Sequence, residues 1–397
     1  MQSSLPGTLR HVRIDVVAVR RDLHAHPEVA FAEVRTTAVL VEALRSCGLA
    51  PAVLPSGTGV VCDLGSGDPI VTLRADIDAL PLPDRKAVPY RSTVEGVCHG
   101  CGHDAHTAIL LAAAAELASA PPHGTVRLLF QPAEEVLPGG ALEVVRSGVL
   151  AGTRSIFALH CDPRLETGQV GLRVGPITAA CDTITIELNG AGGHTARPHL
   201  TGDLVYALGR LITDLPGLLS RRVDPRAAAS LVWGAVDAGS AANAIPMTGQ
   251  VSGTLRVLDR RAWDGLQPVV HELVAHLVAP TGLTAQVHYR RGVPPVVNAP
   301  EAVAVQRAAA AAALGDDAVV ATEQSMGGED FAWYLDTVPG ALARLGVRAP
   351  GAAPFDLHQG SFDIDEAALD VGVRYTVALA RQALSTPAAG PGPGVQG

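Results

Sequence analysis

A chain of 397 residues with 48% hydrophobic content is too long for one simple core and is expected to divide into two domains. A formal charge of −9, with no Lys/Arg run and no basic stripe interleaved with aromatics, leaves nothing to grip a phosphate backbone and excludes nucleic acid as a partner. Lys86 is the single lysine, so lysine chemistry can rest only there, and six cysteines in a chain of this size do not make a disulfide scaffold.

Along the N-terminus, Arg13, Asp15, Arg20 and Arg21 break up any apolar core of the kind a signal peptide needs. The longest apolar run, Ala108 to Ala115, falls far short of the ~20 residues that cross a bilayer. A cytoplasmic protein with no membrane partner is expected. Apolar spacing through Val16, Val19 and Leu23, then Ala38, Val41 and Leu44, predicts a pair of helices over residues 12–48 that ends at Gly48. Short apolar runs follow at 59–63, 70–74, 126–131 and 155–160, with a helix over 107–118 among them. Strands alternating with helices predict an α/β sheet flanked by helices, with functional residues at strand ends.

Near Cys181 the texture changes. Residues 183–188 alternate like a half-exposed strand, and a helix over 203–215, strands near 228–236 and 249–257, a helix over about 261–277 and a strand at 284–289 complete an α+β unit. The helical pattern resumes over 302–314 and closes with a helix over 366–384. The expected division is a catalytic domain in two parts, 1–180 and 293–385, an inserted domain over 181–292, and a Pro/Gly-rich disordered tail over 386–397.

The densest constellation of reactive side chains is Cys98-His99-Gly100-Cys101-Gly102-His103-Asp104-Ala105-His106, just ahead of the 107–118 helix, which Asp104 is suited to cap. Thiolate, imidazole and carboxylate together suit Zn²⁺ or Mn²⁺; a redox Cys-x-x-Cys pair would not call for the flanking histidines, and a zinc ribbon would want a second such pair. Glu134 and Glu135 follow the apolar run 128–130, so at least one carboxylate needs a partner such as a metal, and neighbouring glutamates can divide the roles of ligand and base. His160 and His358 each end an apolar strand or precede a turn; taken singly, each reads more readily as a satisfied core or surface histidine than as a ligand, and ligation gains weight only in company. Asp76 and Asp78 stand at the mouth of a strand, placed either to orient ligand imidazoles or simply to cap a turn. In the inserted domain, glycines around His194 allow close backbone approach to a ligand, with Arg197 nearby to hold a carboxylate; a plain glycine-rich hairpin is the competing reading.

Taken together, Arg21-Asp-Leu-His24-Ala-His-Pro27-Glu28, Arg74-Ala-Asp76-Ile-Asp78-Ala-Leu-Pro81, His99 to Thr107, Gln131-Pro-Ala-Glu134-Glu135, Gly192-Gly-His194, Asn243-Ala-Ile-Pro246, Gly328-Glu329-Asp330-Phe331 and Leu357-His358 resemble the amidohydrolase branch of the dinuclear-metal aminoacylase/carboxypeptidase family. The resemblance implies a metallopeptidase-type catalytic domain with a central mixed sheet flanked by helices, and an inserted α+β domain that serves as lid and homodimer surface. It implies two divalent ions, Zn²⁺, Mn²⁺ or Co²⁺, held by Cys101, His103, Glu135, His160 and His358, with Cys101 shared between them. Glu134 would be the general base toward metal-activated water, Asp78 would orient a ligand, and Asp76 stands where other branches carry a ligating histidine. His194 would reach the substrate or oxyanion, and Asn243 and Arg256 would help bind its carboxylate or carbonyl. Departures lie at Cys98, at Val136-Leu-Pro138 and at Gln359-Gly360, none of which removes a proposed ligand or the base. The expected reaction is hydrolysis of a small N-acyl amino acid, with a dipeptidase or carboxypeptidase, or a catalytically silent metal-binding module, as alternatives.

Overall fold

The computed structural model describes residues 13–353 and 355–386. The first twelve residues and the Pro/Gly-rich tail from 387 onward lie outside the described residues, and the expectation of a disordered tail with them. Two compact units emerge: the described parts of 1–175, 297–323 and 333–397 form one, and 176–296 with 324–332 form the other.

The first unit is built on an eight-stranded mixed sheet, in the order Ala52–Val53, Val60–Ser66, Gly124–Gln131, Ile70–Asp76, Thr153–Glu166, Gly340–Arg348, Val170–Leu172, Val319–Ala321. Its four central strands run parallel, and antiparallel pairs flank them. The central strands are nearly continuous apolar runs, as strands covered on both faces must be. Thr153–Glu166 runs well past the expected end at residue 160, because Gly340–Arg348 pairs with it as far as Glu166.

Helix His103–Ser119 packs against this sheet. Its first thirteen residues are all buried, the pattern of a helix apolar all round. A β-carbon on Gly372 of helix Ala367–Ser385 would stand 2.5 Å from Ile109 Cδ1, so the close approach of these two helices depends on glycine there. The helix begins four residues earlier than its periodicity predicts, with Gly102 rather than Asp104 at its N-cap. The Asp104 carboxylate is spent elsewhere. Its Oδ2 accepts from Arg20 Nε at 2.7 Å and lies 2.7 Å from His24 Nδ1, while Arg20 Nη2 donates to Asp363 at 2.7 Å. His24 Nε2 lies 3.4 Å from Asp84, whose other oxygen pairs with Lys86 Nζ at 3.0 Å. Burial alone would raise the Asp104 carboxyl, but Arg20 and His24 hold it well below the usual carboxylate range.

The second unit is a four-stranded antiparallel sheet in the order Ser230–Ala238, Thr248–Val257, Ala180–Asn189, Thr284–Val293, with helices Leu204–Arg222 and Arg260–Val278 packed against it. Ile184, Ile186 and Leu188 point inward with period two, facing stripes such as Leu204, Leu208, Leu211 and Leu215 on the first helix. Asp203 and Asp259 cap the two helices by accepting from Tyr206 N and Ala262 N. The first helix continues through Pro216, seven residues beyond its expected end at Leu215. Burial of Leu219 extends the stripe and outweighs the backbone hydrogen bond that proline forgoes. No helix among the described residues is long and apolar enough to cross a membrane.

Candidate metal centre

The carboxyl ends of three parallel strands converge on one site. Ile70–Asp76 delivers Asp76 and Asp78, Gly124–Gln131 leads into Glu134 and Glu135, and Thr153–Glu166 carries His160. The start of helix His103–Ser119 adds Cys101 and His103, and the backbone N–H of His358 donates to Gly100 O at 2.8 Å, which brings that histidine to the same place.

Each histidine is oriented by what its other nitrogen touches. His103 Nδ1 donates to the Asp78 carbonyl at 2.9 Å and His160 Nδ1 to the Cys161 carbonyl at 2.8 Å. A carbonyl only accepts, so in both neutral rings the lone pair sits on Nε2, turned inward. His160 Nε2 lies 3.5 Å from Cys101 Sγ. His103 Nε2 is buried without a hydrogen-bond partner, ringed by Asp76 Oδ2 at 3.7 Å, Glu135 Oε1 at 3.8 Å and Glu134 Oε2 at 3.9 Å. Glu135 Oε1 also lacks a hydrogen bond and lies 3.5 Å from His358 Nε2. Asp78 holds both sides of the frame, since its Oδ2 accepts from the Glu135 backbone N–H at 2.9 Å.

Donor atoms turned toward one another, with His103 Nε2 and Glu135 Oε1 left buried without hydrogen bonds, fit a cation. Burial would depress His103, but Asp76, then Asp78 and Glu135, outweigh it and push its pKa up to about 10. Burial, together with the charges of Asp78 and Asp76, pushes Glu135 up to about 7 against the pull of His103. Asp76, despite burial, is held well below its usual range by His103, His106 and Arg74. Without a cation the site keeps an extra proton to offset its carboxylates. The donors form two overlapping triads, Cys101 with His103 and His160, and Cys101 with Glu135 and His358, the donor atoms in each lying within 4.8 Å of one another. His106 is close by but committed, with Nδ1 at 2.5 Å from Asp76 and Nε2 accepting from Cys161 N at 2.8 Å.

Cys101, His103, Glu134, Glu135, His160, His358 and Asp78 are thus brought together in the first unit. His194, Asn243 and Arg256 belong to the second. His194 lies in the two-residue strand Gly193–His194, paired with Ala244–Ile245; it is exposed, and its Nδ1 accepts from Ala196 N at 3.0 Å. The Asn243 carbonyl accepts from Thr195 N, and Arg256 donates to the Met326 carbonyl. Sequence reasoning assigned no role to Arg74, Gln131 and Tyr334, which brace Asp76 from behind: Arg74 donates to Asp76 and to Gln131, and the Tyr334 hydroxyl donates to Gln131 as well. An arginine inside an otherwise apolar strand was the available signal.

The loop carrying the two glutamates is tightly built. Ala133 sits at φ 58°, a left-handed conformation that costs a non-glycine residue about 1–2 kcal/mol, and its carbonyl accepts from Gly140 N at 2.8 Å to close the turn. A β-carbon at Gly140 would stand 2.1 Å from the Pro132 carbonyl oxygen. Gly140→Ala is therefore expected to destabilise the protein by about 1–3 kcal/mol, read by urea unfolding of the metal-loaded protein.

A parallel-sheet crevice lined with a thiol, imidazoles and carboxylates suits divalent cations, and together with the chain's family it makes the protein a metal-dependent amidohydrolase. The chain belongs to peptidase family M20/M25/M40, whose model matches residues 72–382. It is 36% identical over 372 residues to N-acetyl-L-cysteine deacetylase of Bacillus subtilis (strain 168), covering 93% of this chain and 88% of that protein. It is 50% identical over 368 residues to putative glutamate--cysteine ligase 2-3 of Rhodococcus jostii (strain RHA1), but spans only 46% of that protein's length. Among solved structures, the Bacillus subtilis YXEP protein, described as a dinuclear metal binding peptidase from the M20 family, superposes with a TM-score of 0.82 at 33% identity, covering 94% of this chain and 98% of that one.

Proposed function

We propose that this chain hydrolyses the amide bond of small N-acyl amino acids, using two divalent ions held by Cys101, His103, Glu135, His160 and His358, with Glu134 as general base. The observation that carries this reading is the pair of donor triads sharing Cys101, with Glu134 beside them and in neither. Bound there, the ions would supply positive charge that polarises a carbonyl and acidifies water. Glu134 takes the proton of the attacking water and returns it to the departing nitrogen. Asp78 keeps His103 and the Glu135 backbone in register through the bonds described above. A thiolate, imidazole and carboxylate set accepts Zn²⁺, Mn²⁺ or Co²⁺. The likeness to an N-acetyl-L-cysteine deacetylase supports a small acyl group on the substrate. All six cysteines are free, and a site centred on Cys101 depends on a reduced thiol, which supports the cytoplasm as its compartment.

The second unit is proposed as lid and homodimer surface, with His194 serving the oxyanion and Asn243 and Arg256 the substrate's carboxylate or carbonyl. Its edge strand Ser230–Ala238, paired on one side only and exposing Val232 and Val236, supports a self-association surface. His194→Ala is expected to lower turnover by about 100-fold with bound metal unchanged, measured by steady-state kinetics beside elemental analysis.

The reaction is tested by amine release from N-acetyl, N-benzoyl and long-chain N-acyl amino acids and from free dipeptides, before and after chelation. Chelator-sensitive release from the acylated substrates is expected. Preference for dipeptides would turn the reading to a dipeptidase or carboxypeptidase, and silence on the whole panel with metal bound would turn it to a non-catalytic module.

A further inference from the structure

Glu33 is wholly buried, yet its side chain does nothing for the helix it precedes. It occupies the N-cap position of helix Val34–Ser46, but its side chain makes no capping hydrogen bond. Glutamate is also not among the residues that favour that position. The carboxyl turns instead to a residue a hundred positions along the chain: Oε1 accepts the backbone N–H of Ala133 at 2.8 Å. Ala133 is the left-handed residue immediately before Glu134, and its carbonyl is the one that Gly140 N holds. Both peptide groups of this strained residue are therefore pinned, one by a buried side chain and one by the closing turn.

The anchor is itself fixed. The Glu33 carbonyl accepts from Thr37 N at 3.0 Å and from the Thr37 hydroxyl at 2.6 Å, and that hydroxyl accepts from Gly59 N at 2.8 Å. Gly59 in turn lies under Pro132, where a β-carbon would approach Pro132 Cδ to 2.6 Å. The start of helix Val34–Ser46, the Thr58–Gly59 turn and the Pro132–Ala133 segment thus lock together around one carboxyl. Burial, with the charge of Asp78 adding to it, pushes that carboxyl above the usual range. A carboxyl placed where an apolar side chain would be cheaper to bury calls for a use.

We infer that Glu33 is a positioning residue for hydrolysis: it holds Ala133 in its left-handed turn and so aims the Glu134 carboxylate. The inference rests on the reading of Glu134 as general base. Aim matters because proton transfer needs the carboxylate within hydrogen-bond reach of the water it serves, and a misplacement of about 1 Å costs on the order of a hundredfold in rate. Glutamine at position 33 retains an acceptor oxygen of the same reach, whereas leucine fills a similar volume with none.

The test compares kcat, KM, bound metal per chain and thermal stability of Glu33→Gln and Glu33→Leu on the best N-acyl substrate of the panel. Glu33→Leu is expected to lose about 100-fold in kcat per metal-loaded site, with KM within about threefold of the parent, and Glu33→Gln to stay within about threefold in both. Should Glu33→Leu not fold, Glu33→Asp withdraws the acceptor by one methylene while keeping the carboxyl, and the same loss is expected. Full kcat in Glu33→Leu or Glu33→Asp overturns the inference. So does a Glu33→Gln variant as slow as Glu33→Leu, or a rate loss that only tracks loss of metal. If Glu134→Gln remains active, the general-base reading falls and takes this one with it; if Glu134→Gln is inactive while Glu33→Leu is fully active, only this one falls.

Discussion

Glu134→Gln is expected to keep its metal and lose turnover by about 10²–10⁴-fold. Glu134 reaches the cluster without completing either triad that contains Cys101, so its removal should leave both donor sets intact. Glutamine matches glutamate in size and fits the same turn between Ala133 and Gly140, but its amide does not take up a proton near neutral pH. Steady-state kinetics with elemental analysis of the same sample decides the matter. Retained metal with full turnover removes Glu134 from the role of base. Metal lost in step with rate would instead make Glu134 a ligand, as the grouping of His103, Glu134 and Glu135 allows.

Stripping the ions with a chelator is expected to abolish turnover, at least a thousandfold against the loaded protein, and reloading should tighten as pH rises. The sign follows from the protons that the metal-free site holds. His103, pushed up to about 10, must give up its Nε2 proton to become a ligand, and Glu135, at about 7, must be ionised. The Cys101 thiol must release its proton as well, so affinity should rise by at least about tenfold per pH unit up to about pH 10, and more steeply below 7, where Glu135 adds a further competing proton. The same shift bears on stability. Because His103 is raised in the folded, metal-free state, its contribution is fully present below its ordinary 6.5 and is lost as pH climbs through about 10. Titration calorimetry across this range measures the slope, and affinity flat with pH would show that neither proton stands in the ion's place.

The α/β class was legible because period-two and period-3.6 patterns change where the elements change, as in the inward-facing Ile184, Ile186 and Leu188 against the leucine stripe of Leu204–Arg222. The first unit hid more. Gly340–Arg348, a central parallel strand, is short in β-branched residues and reads as no element in particular; only its pairing with Thr153–Glu166 makes it one. Helix boundaries slipped where tertiary partners took over local signals. Asp104 looked like a cap, but buried Arg20 and His24 claim it, and no spacing in the sequence foretells a contact across 80 or 84 residues. Cys101 with His103, and Glu134 with Glu135, were singled out as chemical types crowded into short motifs, whereas the isolated His160 and His358 gained a ligand's role only through the family resemblance. What their order along the chain could not convey is orientation: that Asp78 faces His103 with its carbonyl and Glu135 with its carboxylate, or that Glu33 reaches Ala133 at all.

The ion pair between Lys86 and Asp84 has a practical side. Arginine supplies the permanent positive charge of this chain's surface, because its one ammonium side chain is 6% exposed and held against a carboxylate. Reagents that acylate or crosslink lysines will find that side chain shielded in the intact fold, and its sudden labelling would report that the packing around Asp84 and His24, behind the metal centre, had come apart.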